Sequence, residues 1–221
     1  KRNISPYFLV GEFFWILFGL DDVKTISLFN NKIKEFSDNG ESLYGAYGKR
    51  LKDQWLHIIK RLEKDLYSRQ ALGVIINSED VSYTTKDFPC NIVLHFTVNS
   101  KSQLDLTTFV RSQDMMWGFP YDVFHWTMFQ EAISLELGIN LGEYRHFMSN
   151  CHIYERNVEQ LNKLFDYDTS KSIEMTKMSI SPWTILDKLL HSFNDTIKGI
   201  WTPIGDEYWD SLLAICYQRL T

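Results

Sequence analysis

The change of hydrophobic period between residues 91 and 137 restricts the fold of this chain more than any other feature. Asn91 to Asn99 alternates Ile92, Leu94, Phe96 and Val98 against Val93, His95 and Thr97, the two-residue period of a strand. Leu104 to Arg111 alternates again, and Ser100-Lys101-Ser102 supplies the turn between the two strands. Asp122 to Leu137 then reads as a long, mostly apolar helix that stops at Gly138. Upstream, Tyr7 to Leu20 is a strongly apolar helical stretch closed by Gly19, and Asp21-Asp22 can cap a second helix. Asp53 to Tyr67 carries Trp55, Leu56, Ile58, Ile59 and Leu62 on a helical stripe with charges opposite. Ala71 to Asn77 is a short β-rich run, and Glu143 to Tyr154 predicts another strand. Beyond Asp166 the pattern turns helical, with Trp183 to Phe193 and Glu207 to Arg219 as candidates. With no repeat, low-complexity tract or linker, residues 1–221 read as one α+β domain.

Bulk properties narrow the class of function. The 221 residues can bury a substantial core, and 44% hydrophobic with 15% aromatic content excludes a disordered chain. A net charge of −5 argues against a nucleic-acid-binding surface while leaving room for a small basic phosphate pocket. Apolar runs such as Phe13 to Phe18 are too short to span a bilayer, so no membrane partner is expected. No basic, apolar and cleavable leader follows Lys1, an abrupt opening that reads as a chain lacking its true start. Cys90, Cys151 and Cys216 cannot all pair and match no zinc spacing, so reduced thiols, a cytoplasmic location and no metal are expected.

Several short segments, taken in order, resemble the nucleotide site of the thymidylate synthase family. They are Gly11-Glu12-Phe13-Phe14-Trp15, Tyr47-Gly48-Lys49-Arg50, Ser68-Arg69, Phe88-Pro89-Cys90, the run Arg111 to Asp122, and Cys151-His152-Ile153-Tyr154. The resemblance covers roughly Lys1 to Asn157 and implies a large mixed sheet packed by helices, with a homodimer formed through the sheet. It also implies thiolate addition of Cys90 to a pyrimidine nucleoside monophosphate, then transfer of a one-carbon unit from 5,10-methylenetetrahydrofolate to C5. C5 is a poor nucleophile until a group adds at C6, and a cysteine thiolate both adds and leaves well. Arg111 beside it predicts a depressed thiol pKa. On its own, Cys90 would read as a small buried hydrophobe.

The same resemblance assigns the other candidates. Glu12 and Tyr47 join Cys90 and Arg111 as catalytic residues, and Glu12, set among aromatics, should hold a raised pKa suited to acid/base work. Arg111 and Ser112 match phosphate-binding residues, and Arg69 matches an arginine lent across the dimer interface. Gln70 stands where the family commonly has a second arginine. His152 and Tyr154, two apart on a predicted strand, point to one face and match residues that hold the sugar 3′-hydroxyl. Asp114 and Gly118 match folate-binding positions. The family's tryptophan-rich folate wall falls near Ile33 and Phe36; a less bulky wall would admit water to the exocyclic methylene, giving hydroxymethyl instead of methyl.

Base choice turns on Asp122, where the family usually has asparagine. An amide matches the N3–H donor and O4 acceptor of uracil. A carboxyl group suits cytosine: one oxygen accepts from N4 and a shared proton bridges the other to N3. Asn91, where the family often has histidine, agrees with a changed base edge. The pattern is therefore closest to the cytidylate and deoxycytidylate 5-hydroxymethylases. The competing reading makes Asp122 only the N-cap of the following helix, although His125 leaves no capping box. A thymidylate synthase acting on dUMP and a nucleotide-binding homologue without turnover stay open as alternatives. Ser181 to Thr221 reads as a helical segment that diverges from the family.

Overall fold

The computed structural model describes residues 4–165 and 174–221, and part of the helical reading after Asp166 lies outside the described residues. Helix α1 (Pro6–Leu17) starts where the Ser5 hydroxyl accepts from the Phe8 N–H and Pro6 takes the first helical position. It ends before Gly19, which adopts φ +67°. Asp22 caps α2 (Val23–Ser27) through the Thr25 N–H at 2.7 Å. Gly11 seats α1 on the Phe29 ring, because a Cβ there would come within 2.4 Å of the ring. Helices α3 (Tyr47–Leu51) and α4 (Trp55–Lys64) follow. The alternation read from sequence becomes β1 (Ala71–Val74), β2 (Asn91–Val98) and β3 (Gln103–Val110), an antiparallel meander with Ala71 opposite Phe96 and Leu94 opposite Thr108.

After the two-residue β4 (Gln113–Asp114), helix α5 (Gly118–Leu137) crosses the sheet and returns the chain to β5 (Asn140–Met148), parallel to β3. The four-stranded sheet has the order β1-β2-β3-β5, and β4 pairs with β6 (Cys151–His152) in a second small sheet. Gln130 ties α5 to the sheet, its side-chain amide donating to the Leu104 carbonyl at 2.8 Å. Gly138 ends α5 at φ +63°. After β6 come α6 (Val158–Phe165), α7 (Leu186–Thr196) and α8 (Glu207–Leu220).

Three sequence expectations change here. Helix α5 begins at Gly118, four residues before Asp122, since proline is tolerated in a first helical turn whose N–H groups have no intrahelical partner. The strand expected over Glu143 to Tyr154 divides at Ser149-Asn150, where the chain leaves β3 and pairs with β4, the Gln113 N–H donating to the Asn150 carbonyl at 2.8 Å. Trp183 precedes α7 instead of opening it.

The core lies between the covered face of the sheet and the helices. Phe13 and Phe14 of α1 meet Trp209 of α8 and Phe193 of α7, with Phe13 and Trp209 stacked at 6.2 Å. Those two C-terminal helices thus form the seat of the helix that carries Glu12. The other sheet face leaves Leu72, Val74, Phe109 and Phe147 exposed, the last two stacked at 5.5 Å. Among the described residues, no helix is long and apolar enough to cross a membrane, and no group of His, Cys, Asp and Glu could hold a metal ion.

Candidate active site

The site forms where α1, α3 and α5 meet the start of β2. Cys90 immediately precedes β2, half-buried, and Arg111 immediately follows β3. The Arg111 guanidinium is anchored by the segment that carries Cys90: Nε donates to the Pro89 carbonyl at 2.8 Å and Nη2 to the Phe88 carbonyl at 2.9 Å. Nη2 also stands 3.7 Å from the Cys90 sulfur. The thiol pKa is nevertheless raised, because burial outweighs Arg111 and the charges of Asp122 and Asp87 add to it. This corrects the expected depression of the thiol: the arginine lies beside the sulfur but does not dominate its surroundings.

Glu12 projects from α1 and has its pKa pushed up to about 8, chiefly by burial and then by Asp122 and Asp87. His125 Nε2 lies 3.7 Å from its carboxyl and 3.0 Å from the Leu9 carbonyl. Burial lowers His125 to about 4, so the ring is neutral and a carbonyl partner requires hydrogen on Nε2. Tyr47 opens α3 and packs 5.6 Å from the Trp126 ring. Gly48 lets α3 approach α1, since a Cβ there would fall 2.4 Å from the Ile16 carbonyl oxygen. The Tyr47 hydroxyl is held well above its ordinary pKa by burial, Asp122 and Cys90, with Asn91 working against them.

Asp122 lies in the second turn of α5, 8% exposed, and caps nothing; the N-cap residue is Trp117, without a side-chain cap. Its carboxyl accepts from the Asn91 amide at 3.2 Å, and its pKa is pushed up to about 6 by burial against the hydrogen bonds of Asn91 and Gln113. Glu12, Tyr47, Cys90, Asn91, Arg111 and Asp122 are therefore one cluster.

The remaining candidates are arranged around or away from it. Ser112 is half-buried after Arg111. Asp114 pairs with His152 across β4 and β6, one carboxyl oxygen accepting from the Met116 N–H at 2.8 Å. Gly118 is the first residue of α5. His152 hydrogen-bonds to Asn150 at 2.9 Å and meets the Tyr154 ring edge-on at 5.1 Å. Tyr154, however, lies beyond β6 at a 3-10 turn, with Arg156 4.4 Å above its ring. The one-face strand expected for His152 and Tyr154 is thus absent, and ring packing brings them together instead.

Arg69 is exposed just before β1, its carbonyl meeting His95, whereas Cys90 lies at the other end of β2. Five strand residues separate those ends by about 17 Å. Ile33 and Phe36 lie on a 3-10 turn, with Phe36 49% exposed.

Sequence reasoning missed Asp87, Gln113, His125 and Trp126. Asp87, three residues before Cys90, accepts from the Gly45 N–H at 2.7 Å and is raised by burial to about 6. Its closeness to Cys90 in sequence was the available signal. Gln113, His125 and Trp126 gave none, since buried polar tips on apolar elements look like core.

With this geometry in hand, comparisons with known proteins are informative. The family model described as Thymidylate synthase matches residues 1–196, further than the motifs reach. The deoxyuridylate hydroxymethyltransferase of Bacillus phage SP01 is 33% identical over 171 residues, 69% of this chain and 44% of that protein. The deoxyuridylate hydroxymethyltransferase of Pseudomonas phage M6 is 32% identical over 171 residues, 74% of this chain and 48% of that protein. The chain thus spans about half the length of the curated relatives it matches. The crystal structure of thymidylate synthase from T4 phage superposes with a TM-score of 0.68 at 19% identity, covering 86% of this chain and 76% of that one. The chain belongs to the thymidylate synthase family and is a relative of its hydroxymethylase branch.

Proposed function

We propose that this chain hydroxymethylates C5 of a cytidylate, dCMP or CMP, with 5,10-methylenetetrahydrofolate as co-substrate. The observation that carries the base choice is Asp122: a buried carboxyl, free of any capping duty, with a pKa of about 6. Such a group can share a proton with N3 while its other oxygen accepts from N4. Cys90 would form the Sγ–C6 bond, moving the C5–C6 π pair onto C5 and making it nucleophilic. The Cys90 thiol gives up its proton as that bond forms, and Arg111, 3.7 Å from the sulfur, would stabilise the thiolate. Glu12, protonated at neutral pH, holds a proton next to the ring, and Tyr47 lies against Asn91 on the same side. His152 and Tyr154 would meet the sugar.

The residues present suit a folate. Asp114 is fixed by its own turn and keeps an oxygen for N–H donors of a pterin, and Gly118 opens α5 beside it. When bound, the folate supplies the one-carbon unit. The homodimer is part of this proposal. The exposed Leu72, Val74, Phe109 and Phe147 offer an apolar sheet face to a second copy, and Arg69 lies too far from Cys90 to serve its own protomer. Mixing inactive Cys90→Ala with inactive Arg69→Ala should restore activity in hybrid dimers; no recovery despite subunit exchange would exclude a shared site.

A second reading, hydroxymethylation of deoxyuridylate, is favoured by the names of the two phage relatives. The two readings separate when kcat/KM is measured for dCMP, CMP, dUMP and UMP at fixed folate, with products weighed by mass spectrometry. The native protein should prefer a cytidylate, and Asp122→Asn should move the ratio towards the uridylate by about ten- to a hundredfold. A native preference for dUMP would establish the second reading, and a cytidylate preference unmoved by the substitution would remove Asp122 from base choice.

A further inference from the structure

Two buried amides bear on Asp122, and each is held by a neighbour. Asn91, fully buried, donates from Nδ2 to Asp122 Oδ2 at 3.2 Å, while its Oδ1 accepts from the Trp126 indole Nε1 at 3.1 Å. An indole N–H can only donate, so the amide oxygen must face Trp126 and the amino group must face Asp122. Gln113, also buried, bears on the same carboxyl closely enough to lower its pKa. Its Oε1 lies 3.0 Å from His146 Nε2, and its Nε2 faces the first turn of α5, 3.0 Å from the place a Cβ on Gly118 would take. His146 Nδ1 in turn meets the Tyr144 hydroxyl at 2.6 Å and the Thr108 hydroxyl at 2.9 Å. Those hydroxyls can donate to Nδ1, which leaves the hydrogen on Nε2 for the Gln113 oxygen.

We propose that Gln113 and Asn91, locked by His146 and Trp126, are positioning residues that set the base preference of Asp122. This inference rests on the cytidylate reading and deepens it. A carboxyl group has about four lone-pair directions. The two amide donors occupy two of them. The shared proton is thereby confined to the directions left open to the base, one carrying it to N3 and the other accepting from N4. Uracil, with a donor at N3 and an acceptor at O4, meets the opposite pattern. The frame draws on β2, β4, β5 and α5 together, so base choice belongs to the layout of the sheet and not to Asp122 alone.

Gln113→Glu breaks the frame with no change of shape. One glutamate oxygen still accepts from His146, and the other presents an acceptor to Asp122, so a proton is drawn between the two carboxyls and away from the base. Trp126→Phe removes the donor that holds Asn91 and keeps an aromatic ring against Tyr47, at the cost of some packing volume, and it carries the test should Gln113→Glu not fold. Binding of dCMP and of dUMP is measured calorimetrically without folate between pH 5 and pH 8. We expect the native protein to favour dCMP, Asp122→Asn to abolish that preference, Gln113→Glu to reduce it by about tenfold or more, and Trp126→Phe to reduce it by a smaller factor. The pH at which dCMP affinity changes should move upward in Gln113→Glu, which mere loosening of the fold would not produce. In the native protein labelled with nitrogen-15, the Gln113 side-chain amide protons should titrate with Asp122 and stop doing so in Asp122→Asn. A native protein without preference for dCMP overturns the cytidylate reading and the frame with it. A dCMP preference lost in Asp122→Asn but untouched in Gln113→Glu and Trp126→Phe, or Gln113 amide protons indifferent to Asp122, overturns the frame alone.

Discussion

Asp80 and Asp122 are both buried aspartates, and the molecule treats them in opposite ways. Asp80, 2% exposed, receives two hydrogen bonds from Arg50 at 2.7 and 3.0 Å, one from the Tyr44 hydroxyl at 2.5 Å and one from the Asn77 N–H at 2.7 Å. These hold its carboxyl far below the ordinary range, Arg50 contributing most. Asp122 receives only uncharged amides, and burial pushes it up. Among the described residues, no Lys or Arg forms an ion pair with Asp122 or Glu12. Near Asp80 the fold fixes one protonation state and ties the turn at Ser78–Ser82 to Arg50 and Tyr44. At the site it withholds the counter-charge, so protons can be exchanged near neutral pH.

The contrast breaks most sharply at Asp80. Asp80→Ala leaves the Arg50 guanidinium with little solvent and no carboxylate, and should lower stability by about 3–5 kcal/mol in chemical denaturation. The ratio of cytidylate to uridylate turnover should stay unchanged, since neither residue touches the site. Glu12→Gln should do the reverse, lowering turnover by about 10²–10⁴-fold while raising stability at pH 8 by up to about 4 kcal/mol. A glutamine there that lowers stability at pH 8 would mean that the Glu12 carboxylate is better solvated than its surroundings imply. The pH dependence sharpens the same comparison. A carboxyl whose folded pKa is raised keeps its proton longer when folded, so stability falls as pH rises between about 4 and 8 for Glu12 and about 4 and 6 for Asp122. Asp80, whose folded pKa is lowered, contributes stability above about pH 4 and loses it as pH falls further. Calorimetric melting from pH 3 to pH 9 should therefore show an acid limb that shrinks in Asp80→Asn and an alkaline limb that flattens in Glu12→Gln. The smallest effect is expected at His125. His125→Phe deletes one neutral donor to the Leu9 carbonyl and should cost about 1–2 kcal/mol, measured by denaturant midpoint.

The sequence made the strands legible because alternation survives wherever one sheet face is buried, as Leu94 and Phe96 are. It also grouped Glu12, Cys90, Arg111 and Asp122, through short motifs whose chemistry is local. The start of α5 was misjudged because Pro120 looks like a boundary and is in fact an ordinary first-turn residue. The thiol pKa went the wrong way because the neighbouring arginine is visible in sequence and the degree of burial is not. Gln113 and Trp126 were illegible for a further reason: which way an amide faces depends on how β4, β5 and α5 are set against one another. Helices α7 and α8 were read as helices, but their packing beneath α1 through Trp209 and Phe193 belongs to tertiary structure alone.

The parallel pairing of β3 with β5 governs how quickly this site can come into being. Strands β1 to β3 are sequential antiparallel neighbours, and β2 and β3 can zip through a short turn, whereas β5 must wait for the intervening α5 to dock. Cys90 belongs to the early half, Asp122 to the crossover itself, and His146 and His152 to the strands beyond it. A nucleotide bound at the proposed site would therefore have nothing complete to hold until the slowest contact closes. Its binding should leave the folding rate almost untouched and appear as slower unfolding, so substrate supply would prolong the lifetime of the folded enzyme without hastening its birth.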